Sequence, residues 1–347
     1  MTADLHALLE RFYGRPSHPV SMKTLKGDAS GRRYHRLVMP EGFSPRSVVV
    51  MELPDDPFRS DEIMSGPRPT ALPFVAVARS LTARGVRSPA VYLDAAADGA
   101  VLLEDLGDRT LGSIVSHADL ETVTRWYEAA TDFAARMHEA MTPMPGDGLI
   151  GSRRFDAGML RWELEHFSEY GLESRQGRPL DPAIRKRLDH AFDALTEEIA
   201  SLPSGFVHRD YQSRNLMVLG DEPGAESLAV IDFQDALTGP RIYDLASLLN
   251  DSYVDVPTEI QDRMADRYAS LRGPDPAQVR QELHLVSVHR KCKDTGRFVF
   301  IDRVKKNPSF LPYVEGSLAR IRKNLDRLHG HDDLKQALAL ADLEYFG

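Results

Sequence analysis

The apolar positions of the chain follow two different periods, and the change falls near residue 106. In the first part, apolar residues come in short runs bounded by turn-forming residues, which is the pattern of β-strands. We predict strands at 33–39, 46–53, 89–94 and 100–106, the first two joined as a hairpin through PEGFSP. Helical spacing predicts one helix at 74–83 and a short one from Leu5 to Phe12. We therefore expect residues 1–106 to form a small β-rich lobe.

After Gly107 the apolar residues recur at helical spacing. We predict helices at 119–141, 155–171, 182–201, 244–252, 276–294 and 311–329. The strand-like runs are 205–207, 215–219 and 228–233, and the first two predict a short hairpin that carries a polar loop. The expected fold class is α+β and bilobal, with a small β-rich N-lobe, residues 1–106, and a larger, mainly helical C-lobe, residues 107–347.

Composition narrows the class of protein. The chain has 347 residues, a formal net charge of −9 and one cysteine, Cys292. An acidic chain lacks the excess of Lys and Arg that general binding to nucleic acids requires. No apolar run approaches the ~20 residues that span a bilayer, and the N-terminus lacks the pattern of a signal peptide. A single cysteine forms no internal disulfide, so we expect a cytoplasmic protein with Cys292 as a buried core thiol.

The strongest chemical signal is the polar loop in the segment FVHRDYQSRNLMVLG, residues 206–220. A His-Arg-Asp tripeptide ends at Asp210, Asn215 follows five residues later, and a later apolar run ends at Asp232 and a Phe. Phosphoryl transfer needs a carboxylate that orients the attacking hydroxyl, and a second carboxylate with an amide oxygen that hold Mg²⁺. The order and spacing match the H-R-D-x-x-x-x-N and D-F pattern of kinases. For a lone His-Arg-Asp, a polar turn closing a hairpin is the alternative.

A second, weaker signal precedes the first hairpin strand in the segment LKGDASGRRYHRL. Gly27, Ser30 and Gly31 favour a turn whose backbone N–H groups could face phosphates, and a plain β-turn is the alternative. Arg32 and Arg33 follow this turn. They are candidate cations for the same phosphates, unless they lie on a solvated surface.

These residues resemble the aminoglycoside phosphotransferase and choline kinase branch of the protein-kinase-like fold. Asp232-Phe233 is followed by Gln and Asp where protein kinases have Gly. The segment GPRIYDLASLL then follows at once, without an activation loop or an Ala-Pro-Glu motif. In this segment, Asp244 predicts the N-cap of a helix.

Within that branch, the chain resembles the bacterial kinases that phosphorylate N-acetylmuramate and N-acetylglucosamine at the anomeric C1 hydroxyl during peptidoglycan recycling. The resembling stretches are GDASGRRYHRL, VVVMELPDD, VLLEDLGDRTL, RFDAGMLRWELEHF, HRDYQSRNLMV, IDFQDALTGPRIYDLASLLND and HRKCKDTGRF. The resemblance covers most of the chain. It implies ATP and Mg²⁺ as cofactors and a small sugar as the substrate.

The resemblance also implies roles for individual residues. Asp210 is the expected general base, and Asn215 and Asp232 are the expected Mg²⁺ ligands. Arg209 is expected to brace the loop. The hinge from Glu104 to Leu106 is expected to meet adenine through its backbone, above an apolar floor. The expected nucleotide contacts are Gly27, Ser30, Gly31, Arg32, Arg33, Glu104, Leu106, Met217 and Ile231.

One departure from the kinase pattern concerns the cation on the third strand. A typical kinase has Lys there, paired with a Glu on the next helix. Met51 occupies the matching position, and the helix predicted at 74–83 has no Glu. The anomeric sugar kinases resemble the chain in carrying Met. The loss leaves phosphate neutralisation to Mg²⁺ and to other cations, with Arg32 and Arg33 as the candidates.

The expected substrate contacts are polar side chains near the loop and on two helices. Glu163 could accept sugar hydroxyl protons, although an exposed helix acid would give the same pattern. Arg214 and Arg290 could meet the carboxylate of a sugar such as N-acetylmuramate. Gln234 and Asp235 could contact other polar groups of the sugar. The basic segment HRKCKDTGR disfavours a polycationic aminoglycoside.

Three functions stay open on the sequence. The first is an ATP-dependent kinase for the anomeric hydroxyl of an amino sugar, in which Asp210 mainly orients an already acidic hydroxyl. The second is a kinase for another alcohol, an aminoglycoside or a choline-like molecule. The third is a nucleotide-binding pseudokinase, suggested by the missing Lys and helix Glu and disfavoured by the retained carboxylates and amide. The preferred sugar, the choice between ATP and GTP, and the oligomeric state stay open.

Overall fold

The structure is a computed structural model that describes residues 4–25, 31–58, 69–143 and 148–347. An antiparallel sheet occupies the first part of the chain, and helices dominate the remainder. The predicted α+β class with a small β-rich lobe and a larger helical lobe is confirmed.

The N-lobe is built on one five-stranded sheet in which all neighbouring strands are antiparallel. Its strands, in spatial order, are β1 Ser21–Leu25, β2 Arg33–Val38, β3 Ser47–Glu52, β5 Ala100–Glu104 and β4 Val91–Ala95. Four of them are the predicted strands. β1 was not predicted because four of its five side chains are exposed, so that its sequence shows no apolar run.

The two faces of the sheet pack against different partners. Helix α1, Leu5–Tyr13, covers the face that carries Val48 and Val50. Helix α2, Pro73–Ala83, and the C-lobe core cover the opposite face, which carries Val49 and Met51. Because paired residues of neighbouring strands share a face, Tyr34 of β2 lies on the Met51 face.

The C-lobe consists mainly of helices, several of which begin at an Asp N-cap. They are α3 Leu111–Val115, α4 Leu120–Ala140, α5 Leu149–Ser152, α6 Ala157–His166, α7 Pro182–Ser201, α8 Tyr243–Leu249, α9 Thr258–Arg272, α10 Pro276–Arg303, α11 Val314–Arg327, α12 Asp332–Ala341 and α13 Leu343–Phe346. A π-helical turn, Phe167–Ser174, continues α6. The long predicted helices are all present, whereas α9 and α12 were missed because their buried stripes are narrow and rich in alanine.

Two small ladders hold the polar loop. β6, Ser204–Val207, pairs with β9, Leu237–Pro240, while β7, Leu216–Val218, pairs with β8, Leu228–Val230. The hairpin predicted from 205–207 and 215–219 is therefore wrong. The pairing was hidden because β9 has the sequence LTGP, which carries no strand pattern. As a result, the loop passes from one ladder to the other.

A short link joins the lobes. The sheet ends at Glu104 and α3 begins at Leu111, so the predicted lobe boundary after residue 106 falls inside this link. Gly107 in the link has φ 82°, a left-handed conformation that glycine adopts without strain. Cys292 is fully buried on α10, as predicted. Among the helices of the described segments, none combines the length and apolarity needed to cross a membrane.

Candidate active site

The fold brings the three predicted catalytic and metal-binding residues together. Asp210 follows β6, Asn215 precedes β7, and Asp232 follows β8. The Nδ2 atom of Asn215 donates to the carbonyl oxygen of Asp210 at 2.8 Å and lies 3.4 Å from Oδ2 of Asp232. The amide group of Asn215 thus links the Asp210 loop to the carboxylate of Asp232.

The backbone around these residues is unusual in two places. Arg209 has φ 80° and Asp232 has φ 64°, in the left-handed region that costs non-glycine residues free energy, of order 1 kcal/mol or more each. Such conformations persist only where neighbouring contacts enforce them, and they concentrate at functional sites. The carboxylate of Asp232 is further oriented by Gln234, whose Nε2 donates to Oδ1 at 2.8 Å.

A buried carboxylate, Asp244, holds the catalytic loop from below. It accepts the backbone N–H groups of His208 at 2.8 Å and of Arg209 at 2.9 Å, and Nε2 of His138 at 2.9 Å. The predicted N-cap role for Asp244 is wrong, since Ile242 is the N-cap and Asp244 lies inside the first turn of α8. Asp244 instead serves the loop because β6 ends directly against that turn.

His208 ties the loop to the neighbouring ladder. Burial lowers the pKa of His208, so the ring is neutral at neutral pH. Its Nε2 donates to the carbonyl oxygen of Ile231 at 3.1 Å. This contact joins the loop to the residue before Asp232.

Glu163 is placed in the interior rather than on a substrate surface. Its side chain is 1% exposed, and its Oε1 accepts from Nη2 of Arg209 at 2.7 Å. The predicted contact of Glu163 with sugar hydroxyls is therefore wrong, because Arg209 and the surrounding core leave no access for a sugar. Arg209, itself fully buried, braces the loop from this side.

Arg290 of α10 contacts the carboxylate of Asp210. Its Nη2 donates to Oδ1 of Asp210 at 2.8 Å, and its Nη1 donates to the carbonyl oxygen of Arg209 at 2.9 Å. Its side chain is 1% exposed. The expected contact of Arg290 with a substrate carboxylate is therefore replaced by a contact with the protein's own carboxylate.

Three other predicted substrate contacts remain near the loop. Arg214 is exposed, and its guanidinium lies 3.2 Å from the centre of the Tyr253 ring. Gln234 is 5% exposed, and its Oε1 has no hydrogen-bond partner in the part of the chain that the structure describes. Asp235 is half-buried beside Gln234. These polar groups stay candidates for contact with the acceptor.

The two predicted cations, Arg32 and Arg33, differ in their surroundings. Met51 is completely buried, so β3 supplies no cation. Arg32 lies directly before β2, and its Nε and Nη1 atoms are buried without a hydrogen-bond partner among the described residues. Arg33 is exposed and pairs with Glu52 on the opposite face. Contact of either arginine with phosphates stays a prediction, and Gly27 and Ser30 lie outside the described residues.

The side chain of Glu104, at the start of the link, is engaged by hydrogen bonds, and the link borders a cavity. The carboxylate of Glu104 accepts two hydrogen bonds from Arg87, at 2.6 and 2.7 Å, and one from the backbone of Ala90 at 3.1 Å. Burial acts to raise the pKa of Glu104, but these bonds lower it below its usual value. A cavity of about 340 Å³ borders the link and is lined in part by Leu106, Gly107 and Val218. The backbone N–H of Glu104 donates to the carbonyl oxygen of Ala90 at 2.9 Å, so this donor is engaged within the sheet. The contact of the link backbone with a base stays a prediction.

The apolar floor predicted under the base comes from the β7–β8 ladder. Met217 is buried and forms a bridge with Thr110 of the link, and Ile231 is half-buried at the end of β8. Both residues therefore border the region below the link. Their contact with a base stays a prediction.

Several residues that support the loop were not predicted in that role. Asp244, His138 and Arg290 all act on the loop from more than 30 residues away in the chain. Asp251 adds a similar support, since it accepts the backbone N–H and the hydroxyl of Ser213. One available signal was an acid inside an apolar helical run, as in IYDLASLL.

A two-lobed α+β fold with an acid, an amide and a second acid at these strand ends defines a kinase-like phosphotransferase. The chain matches the phosphotransferase enzyme family (APH) over residues 21–281, more than half of its length, and it belongs to that family. The predicted family is thereby confirmed.

Curated relatives and solved structures agree with this assignment. The N-acetylmuramate/N-acetylglucosamine kinase of Pseudomonas aeruginosa is 30% identical over 319 residues, which cover 87% of this chain and 85% of the relative. The kinase of the same name from Pseudomonas putida is 27% identical and covers 88% and 84%. Choline kinase from Cryptosporidium parvum superposes with a TM-score of 0.61 at 10% identity, covering 93% of both chains. The ternary complex of APH(2″)-IIa with streptomycin and ATP has a TM-score of 0.59 at 13% identity and covers 85% and 90%.

Proposed function

We propose that this phosphotransferase is an ATP-dependent kinase for the anomeric C1 hydroxyl of N-acetylmuramate, N-acetylglucosamine or both. The proposed setting is peptidoglycan recycling in the cytoplasm, where ATP is supplied. The names of the curated relatives over most of the chain support the acceptor class. The observation that carries the proposal is the Asp210 carboxylate, which Arg290 holds in a loop where the amide of Asn215 contacts both Asp210 and Asp232.

Asp210 is the proposed general base. It orients the C1 hydroxyl and takes its proton as the bond from O1 to the γ-phosphorus forms and the bond from that phosphorus to ADP breaks. The anomeric hydroxyl of a sugar is more acidic than that of an ordinary alcohol. A carboxylate that mainly orients the hydroxyl is therefore sufficient.

Asn215 and Asp232 are the proposed ligands of Mg²⁺. Their donor atoms are an amide oxygen and a carboxylate, the hard ligands that Mg²⁺ prefers in combination with substrate phosphates. No group of three or more His, Cys, Asp or Glu suited to a metal occurs among the described residues, so a site shared with the nucleotide fits this chain. When bound, Mg²⁺ would neutralise charge on the phosphates.

The nucleotide is proposed to bind between the lobes, with the boundary after residue 106 as the hinge. The backbone from Glu104 to Leu106 would meet adenine, and Met217 and Ile231 would lie under it. Arg32 would meet the phosphates, because its Nε and Nη1 atoms are buried without a hydrogen-bond partner among the described residues.

Product analysis tests the proposal directly. The purified protein is incubated with ATP, Mg²⁺ and, in separate tubes, N-acetylmuramate, N-acetylglucosamine and kanamycin, and the products are followed by ³¹P NMR. A new phosphate resonance coupled to H1 of an amino sugar is the expected result. Product with kanamycin alone would assign the protein to aminoglycoside modification. Bound ATP without product in any tube would indicate a pseudokinase or a different alcohol.

A further inference from the structure

We propose that Arg290 is a positioning residue that fixes the catalytic carboxylate of Asp210 before the acceptor sugar arrives. The inference rests on the proposed function, because it assigns Asp210 as the general base. The carrying observation is the pair of hydrogen bonds from one guanidinium, to Oδ1 of Asp210 and to the carbonyl oxygen of Arg209.

These two bonds fix different parts of the loop. The bond to Oδ1 sets the rotation of the Asp210 side chain, and the bond to the carbonyl sets the peptide between Arg209 and Asp210. Arg209 has the left-handed φ of 80°, a conformation that needs external contacts to persist. A planar guanidinium donates in two fixed directions at once, whereas an ammonium group is a single point donor. The geometry therefore requires arginine in particular.

Arg290 is itself held in place by two further contacts. Its Nε lies 3.4 Å from Oδ1 of Asp294, and its Nη1 lies 3.3 Å from the hydroxyl of Tyr243. Asp294 is in turn bound by Lys291 at 2.6 Å and by Ser252 at 3.2 Å. Because Arg290 has so little freedom, the position of Asp210 follows from the packing of α10.

The charges of this cluster compensate one another. Burial acts to lower the pKa of Arg290, but Asp294, Tyr243 and Asp210 raise it well above its usual value. Burial likewise acts to raise the pKa of Asp294, while Arg290 and the neighbouring lysines lower it to about 2. Arg290 is therefore charged whenever the protein is folded, and its charge faces Asp210 at every working pH.

The contact also explains why Arg290 does not serve the substrate. Both outer nitrogens of its guanidinium are engaged by the protein, and only 1% of its side chain is exposed. Asp210, by contrast, has 23% of its side chain exposed. The acceptor can thus reach Asp210, and Arg290 acts through it.

The test compares Arg290→Lys, Arg290→Met and Arg290→Ala with the wild type by steady-state kinetics for ATP and for the sugar. Misplacing a catalytic group by about 1 Å costs on the order of 100-fold, so we expect kcat of Arg290→Met to fall about 100-fold. Arg290→Lys keeps the charge but loses one of the two bonds, and we expect a loss of about tenfold. The KM values are expected to stay within about threefold, because binding is not affected.

Chemical rescue separates positioning from a general loss of structure. Free guanidinium is expected to restore part of the lost kcat in Arg290→Ala, which leaves a cavity beside the exposed Asp210, and none in Arg290→Met, which fills it. Arg303→Met is the matched control, since Arg303 lies at the end of the same helix with 55% of its side chain exposed. Its kinetics are expected to equal those of the wild type.

Each other outcome overturns the inference. A raised KM for the sugar with an unchanged kcat would make Arg290 a substrate ligand. A kcat of Arg290→Lys equal to that of the wild type would show that only the charge of residue 290 matters. If the Met and Ala variants do not fold, the kcat of Arg290→Lys alone decides whether Arg290 is a positioning residue. A loss in Arg290→Ala without rescue by guanidinium would indicate a merely structural role. If the wild type phosphorylates neither amino sugar, the proposed function fails independently of this inference. The same variants are then compared by their rates of ATP hydrolysis, a reaction in which Asp210 would orient water in place of the sugar hydroxyl.

Discussion

The two sides of the candidate active site are constructed very differently. On the catalytic side, the loop is held by buried polar contacts from Asp244 of α8 and Arg290 of α10, and Asp244 is in turn bound by His138 of α4. On the phosphate side, β3 carries the apolar Met51, and Arg32 has two buried nitrogens without partners among the described residues.

The difference indicates which groups of the site the protein positions without a ligand and which depend on the bound nucleotide. The carboxylate of Asp210 is oriented by the fold, so under the proposed function no reorganisation of that group is needed when the acceptor binds. On the phosphate side, Arg32 has no partner for two buried nitrogens among the described residues, and leaving a buried charged group unpaired is costly. We infer that the nucleotide itself completes the charge balance at Arg32.

Removing the catalytic carboxylate is the largest expected effect. Asp210→Asn keeps the shape of the side chain but cannot take a proton, and we expect kcat to fall about 1,000-fold or more. ATP affinity, measured by calorimetry, is expected to change little because the phosphate side is intact. Asp326→Asn, at an exposed position of α11, is the matched control. A variant at position 210 with more than about a tenth of the wild-type rate would contradict the assignment.

Breaking the support of the loop is expected to cost stability as well as rate. Asp244→Ala leaves the N–H groups of His208 and Arg209 and the ring of His138 without their acceptor, inside the core. We expect the free energy of unfolding to fall by about 3–5 kcal/mol in urea titrations. Asp255→Ala, whose side chain is 97% exposed, should stay within about 0.5 kcal/mol. Equal losses at the two positions would mean that the buried network has no special weight.

The phosphate side is tested by a pair of neighbouring arginines. Arg32→Met removes the unpartnered guanidinium, and we expect KM for ATP to rise about tenfold, since a charged hydrogen bond contributes about 1.5 kcal/mol. Arg33→Met is the control, and a change below about twofold is expected because Arg33 faces the other side of the sheet. A larger effect at Arg33 than at Arg32 would exchange the two assignments.

The smallest expected effect concerns pH and the buried histidines of the C-lobe. Burial lowers the pKa of His284, whose ring contacts Asn324 at 2.9 Å. The unfolded chain therefore binds a proton near pH 6.5 that the folded protein does not, and stability falls as the pH drops below this value. Each such group contributes at most about 1.4 kcal/mol per pH unit. The free energy of unfolding, measured between about pH 7.5 and 6, should depend less steeply on pH in His284→Gln than in the wild type. Part of the dependence should remain, because burial also lowers the pKa values of His208 and His289.

The sequence predicts the reactive residues and most of the strands, but not the contacts that hold the loop in place. The loop residues Asp210 and Asn215 were found because their chemistry lies in one contiguous motif, and the strands of the N-lobe were found because their apolar runs are short and regular. The supports of the loop were not found in that role, because Arg290 lies 80 residues from Asp210 and only tertiary packing joins them. Glu163 was misread for the same reason: periodicity places it on a helix stripe without saying that Arg209 lies opposite.

The central claim is that the acceptor is the anomeric hydroxyl of an amino sugar, and blocking that hydroxyl tests it most directly. N-acetylglucosamine and its methyl 1-glycoside, which carries a methyl group on O1, are compared as acceptors at equal concentration by ADP release with ATP and Mg²⁺, and the same pair is made for N-acetylmuramate. We predict turnover of at least one free sugar and none of its methyl glycoside. Turnover of a methyl glycoside at a rate similar to that of the free sugar would contradict the claim, because phosphate would then be transferred to a different hydroxyl.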